Sequence, residues 1–228
     1  MTDLPPIDYP GDVWAVGQRR RPGGSFPPPG GGGGIPGDDG GVHQDEVDPD
    51  PDDPPWSPPH PCDDPETALP WNADAAAAAA AAAMMAKAAS LGSSFTDREF
   101  GAHLYRGEGN SAQMTPISVG DPAAAGEIPE VHIEWYDANS GNWMGDIHNH
   151  PSGDGRLSEG EWVDFINQVS TFRQHHPDRT ELAWVSVYVV VLDPTSPSGY
   201  RIYAYTMDTP PNEYGQEVNP NAQPCSQG

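Results

Sequence analysis

His148-Asn149-His150-Pro151-Ser152-Gly153-Asp154-Gly155-Arg156-Leu157-Ser158-Glu159-Gly160-Glu161 is the stretch whose reading decides the fold. The run before it, Trp143-Met144-Gly145-Asp146-Ile147, leads in as a strand. The run after it places Trp162, Phe165, Ile166, Val169 and Phe172 on one stripe at helical spacing. Alternate residues of a strand point to the same side, so His148 and His150 can reach one ion. Pro151 stiffens the exit from the strand, and Gly153 and Gly155 let the loop turn back. Ser158 then opens a helix with Glu161 in its first turn, where a carboxylate can point back toward the histidines. Two neutral imidazoles and one carboxylate suit zinc and leave a fourth position for water.

Plainer readings stand beside this one. Ser158-x-x-Glu161 is also a capping box, in which each side chain bonds the other residue's amide. Asp164, one turn further on, is an alternative acid. His103 reads as a packed or rim histidine, and His175 and His176 suit the negative end of the helix that His175-His176-Pro177 stops.

Outward from the motif, Ala183 to Leu192 is a continuous, β-branched apolar run, the mark of a strand covered on both faces. Tyr200 to Met207 alternates as a closing strand. Upstream, Glu99 to Tyr105 and Ala112 to Val119 read as a hairpin, and Val131 to Tyr136 as a further strand. Asn72 or Asp74 can cap a helix whose body is Ala75 to Ala83, alanine being the best helix former. These elements predict an α/β (α+β) domain over residues 67–208: a mixed β-sheet, an N-terminal Ala-rich helix and a helix after the His-x-His-Pro motif. Residues 1–66, rich in Gly, Pro and Asp, and residues 209–228, rich in Pro, Asn and Gln, read as a disordered leader and tail.

The chain has 228 residues, 26 of them glycine and 28 proline, and a formal charge of −24 from ten Lys and Arg against 34 Asp and Glu. Such a field repels phosphate backbones and anionic membranes, so neither nucleic acid nor membrane is an expected partner. No apolar stretch is long enough to span a bilayer. The start, Met-Thr-Asp-Leu-Pro-Pro, has no basic region followed by an apolar core, so no signal peptide is expected. Cys62 and Cys225 both fall in the expected flanks; a disulfide can join them, though two such cysteines do not fix a redox compartment.

The spacing His-x-His-Pro, with seven residues between the second histidine and Ser158 and an acid three residues later, resembles the signature of the JAB1/MPN/Mov34 (JAMM) metallopeptidases. The opening His-Asn-His-Pro-Ser-Gly-Asp is similar to the RadC branch. Asp97 to Arg106, preceded by an Ala-rich helix, resembles the JAB-like domains of RHS-type and other polymorphic-toxin proteins. The resemblance covers about residues 67–207 and implies a curved, cytidine-deaminase-like sandwich. It further implies zinc held by His148, His150 and Glu161, where the family has Asp in place of this Glu. Glu99 would then be the general base, with Glu127, Glu130 and Glu134 as rivals, and Ser158 would stabilise the oxyanion. The implied activity is peptide or isopeptide hydrolysis in an effector or processing module of a bacterial system, cytoplasmic or exported by a specialised secretion system. Its implied partners are a protein or peptide substrate and an immunity or inhibitor protein. Two other functions fit the same residues: an inactive JAMM-like scaffold or binding module, and a metal-dependent hydrolase of a non-peptide substrate.

Overall fold

Nine consecutive alanines make the first long element. Helix α1 spans Pro65–Ser90 and starts about two turns before the caps expected at Asn72 or Asp74. Pro65 is pre-set for the first helical turn, and the Asp64 carbonyl accepts the Ala68 amide at 2.8 Å, so the helix opens there. Asn72 and Asp74 serve tertiary bonds instead: Asn72 accepts from the Cys225 amide at 2.7 Å and Asp74 from the Tyr188 hydroxyl at 2.9 Å. A computed structural model describes residues 60–108, 111–122, 130–133, 142–178 and 185–225.

The strands are β1 (Phe100–Arg106), β2 (Ala112–Met114), β3 (Ser118–Val119), β4 (Trp143–Asn149), β5 (Ser186–Leu192), β6 (Tyr200–Tyr205) and β7 (Gln216–Val218), with helix α2 (Glu159–His175) between β4 and β5. They form one curved, mixed sheet in the order β2-β1-β4-β5-β6-β7, with β3 beside β2 along the same edge of β1. The single returning strand expected over 112–119 is two short ones, because Pro116 between them has no amide to give the ladder. Val131–Ile133 lies outside the sheet rather than in the expected strand; the remainder of that run falls outside the described residues. Among the described strands only β4 and β5 run parallel, joined through α2, and their register pairs His148 with Val189.

The sheet separates two apolar clusters. On one face Ala77, Ala80, Ala81 and Met84 of α1 pack among Phe100, Leu104, Ile147 and Ile202. Alanine adds little volume, so the helix lies close to the sheet. On the other face Phe165, Ile166, Val169 and Phe172 of α2 cover Val187, Val189 and Val191. The apolar stripe and the β-branched run thus bury against each other, as their patterns require.

Both boundaries of the expected domain move outward. Residues 1–59 of the expected leader lie outside the described residues, but His60 already caps a 3₁₀ turn at Pro61–Asp63. The segment after 209, expected to be a disordered tail, contributes β7 to the sheet and is tied back by a Cys62–Cys225 disulfide. Val218 and Ala222 are its buried apolar residues, and the ladder, the disulfide and the Trp71–Gln223 hydrogen bond supply the rest. Among the described residues no helix is long and apolar enough to cross a membrane.

Candidate metal centre

In open α/β sheets, sites form beyond the carboxyl ends of parallel strands. Here that end of β4 carries His148, and His150 follows one residue past it, its amide bonded to the Val190 carbonyl at 3.0 Å. The His148 and His150 Nε2 atoms approach to 3.0 Å. Oε1 of Glu161 lies 2.9 Å from His150 Nε2 and 3.3 Å from His148 Nε2. The three ligand atoms fall within 4.8 Å of one another, so the cluster can hold a metal ion. The histidine side chains are 14% and 9% exposed and Glu161 is 35% exposed, a site sheltered on its protein side and open on the other.

Two of the three donors, His150 and Glu161, are held by a second bond. His150 Nδ1 donates to the Asp154 carbonyl at 2.7 Å, which leaves the Nε2 lone pair facing the cluster. Glu161 Oε2 accepts the Ser158 amide at 2.7 Å, while Ser158 Oγ accepts the Glu161 amide at 3.2 Å. The capping box and the ligand cluster are therefore one arrangement: one carboxylate oxygen caps α2 and the other faces the imidazoles. Burial disfavours charge on His150, but the hydrogen bond and charge of Glu161, together with the Asp154 carbonyl and the charge of Glu99, outweigh it and raise the imidazole pKa. Burial would likewise raise Glu161, yet its bonds to His148 and His150 hold it far below the usual carboxylate range.

Glu99 and Ser158 line the same cleft, a cavity of about 1520 Å³, with His148, His150 and Glu161. Glu99 Oε2 accepts the Val131 amide at 3.1 Å. Burial pushes its carboxyl upward, partly offset by the fields of His148 and His150. What places Glu99 there is Asn149, a residue with no role in the sequence reading. It is fully buried on the opposite face of β4 from the two histidines; its Oδ1 accepts the Phe100 amide at 2.6 Å and its Nδ2 donates to the Phe95 and Arg98 carbonyls. The available signal was its position: a polar residue alternating with two candidate ligands must face the core, and a buried amide needs partners.

The Gly-rich loop and the start of α2 are braced from the end of β6 and the segment after it. Tyr205 Oη donates to the Gly155 carbonyl, and Trp162 Nε1 donates to the Thr209 carbonyl at 2.9 Å. A side chain at Gly155 would meet the Tyr203 ring at 2.5 Å, so only glycine lets the loop lie there. Arg156 pairs with Asp154 at 2.8 Å and holds that carboxyl down to about 2.

Of the rivals, Asp164 is exposed and lines the cleft without joining the ligand cluster, and Glu130 is exposed at its edge. Glu127 and Glu134 lie outside the described residues. His103 is a packed histidine, 5% exposed, bonded through Nδ1 to Asp146 at 2.5 Å. Comparisons of the chain with protein-family models, with curated proteins and with solved structures found no match.

Proposed function

We propose that this chain is a zinc-dependent peptidase of the JAMM type, with the sandwich of that family, hydrolysing a peptide or isopeptide bond. The observation that carries the reading is the convergence of the His148, His150 and Glu161 donor atoms in a cleft that also contains the half-buried carboxyl of Glu99. Two imidazoles and a carboxylate fit zinc, which when bound supplies a Lewis acid that makes water nucleophilic at neutral pH.

Glu99 accepts a proton from the attacking water and returns it to the leaving amine. Its raised pKa suits a group that must do both. Asp154 does not compete, because Arg156 keeps it too weak a base. Ser158 Oγ accepts from the Glu161 amide, so its own hydrogen is left to donate to the oxyanion forming on the attacked carbonyl.

Glu99→Gln keeps an acceptor for the Val131 amide and removes the base. The expected outcome is unchanged zinc content and melting temperature, with peptide hydrolysis lowered by a factor on the order of 10² or more. A rate equal to wild type would remove Glu99 from the mechanism. A zinc-loaded wild type that cleaves nothing in a peptide library would favour the binding-module function.

A further inference from the structure

Arg98 is a cation of this cleft that the mechanism leaves unused. It lines the cavity with His148 and Glu99, is half-buried, and has its Nε buried without a hydrogen-bond partner. Its backbone is fixed, since its carbonyl accepts from Asn149 Nδ2 at 3.2 Å. Acids line the same cleft, but Asp146 is bonded to His103 and Trp143, Glu161 to the two histidines and the Ser158 amide, and the others are engaged or exposed. Asp97 accepts the Ser94 amide, Glu99 accepts the Val131 amide, Asp154 pairs with Arg156, and Glu130 and Asp164 are exposed. Among the described residues none of them forms an ion pair or hydrogen bond with the Arg98 side chain. In a chain with ten Lys and Arg against 34 Asp and Glu, a cation left without an acid partner at the site is an exception that calls for a ligand.

We propose that Arg98 anchors a carboxylate of the bound peptide, making it a specificity-determining residue of the cleft. The inference rests on the peptidase reading for the reaction and adds the substrate class. With Nε buried, the two terminal nitrogens of the Arg98 guanidinium are left to face the cleft, and they form a planar fork that matches the two oxygens of one carboxylate. Peptides carry that group in two places, the free C-terminus and an Asp or Glu side chain. The cleft's remaining acids disfavour a ligand with several negative charges, so the substrate class is a peptide with one carboxylate placed near the scissile bond.

The test is a binding titration of the full chain, metal-free and zinc-loaded, with one acetylated Gly/Ala/Ser hexapeptide in three forms: C-terminal acid, C-terminal amide, and amide carrying a single Asp. At least one carboxylate form is expected to bind wild type about tenfold or more tighter than the neutral amide in both metal states. Which form it is identifies the source of the carboxylate. Arg98→Gln should erase the preference, and Arg98→Lys, which keeps charge without the fork, should retain part of it. No preference in wild type, or a preference that survives Arg98→Gln, overturns the anchor. A preference that holds in a zinc-loaded protein unable to hydrolyse peptides leaves the anchor standing and removes the peptidase. Glu99-dependent hydrolysis with a preference indifferent to Arg98 does the reverse.

Discussion

Glu161 shows how one extra methylene changes what a side chain can do. Its length lets Oε2 hold the Ser158 amide while Oε1 faces both histidines, so it caps α2 and completes the candidate ligand cluster together. From the sequence, capping box and ligand looked like competing readings; they are compatible because a carboxylate has two oxygens. The same cluster sets a pH dependence. Without metal, the raised His150 pKa contributes stability fully below the unfolded value of about 6.5 and loses it as pH rises through the folded value. The depressed Glu161 contributes stability above its unfolded value of 4.5, lost only as pH falls through its much lower folded value. The metal-free cluster therefore helps most between these two limits, whereas a metal needs His150 deprotonated. The rise in melting temperature on adding zinc should grow as pH goes from about 5.5 to about 7.5. A rise that is constant or larger at the acid end would contradict this.

Elements with a strong period or a long apolar run were readable directly: β4, β5, β6 and α2 lie within a few residues of where alternation, β-branching and the stripe put them. The site came with them, since strand, turn and capped helix are local and bring His148, His150 and Glu161 together with few long-range contacts. What was not readable depends on partners distant in sequence. Strand β7 is three residues long and exists because β6 offers an edge, and Asn149 matters because Phe95, Arg98 and Phe100 come back to it. Asn149→Ala would leave a buried amide and carbonyls without their partner and loosen β4 from the segment carrying Glu99. It should cost about 2–4 kcal/mol in urea unfolding. A loss under about 0.5 kcal/mol would show that the two segments are held by other contacts.

At the level of the entire molecule, the excess of acid and the closure of the domain stand out. The disulfide joins the turn before α1 to the residues after β7, with a sequence separation of 163. Closing so long a loop restricts the unfolded chain, a stabilisation on the order of 3–5 kcal/mol. Paired Cys62→Ser and Cys225→Ser substitutions, or a reductant, should lower the unfolding free energy by about that much; an unchanged value would mean that the ends are held without the bond. Among the described residues the fold carries one candidate metal centre, at the carboxyl end of β4, and the most direct measurement of it is the metal content of the purified chain after zinc loading and desalting. The account predicts one zinc per chain for wild type and none for His148→Ala/His150→Ala; wild type without zinc, or a double variant that still holds one, would contradict it.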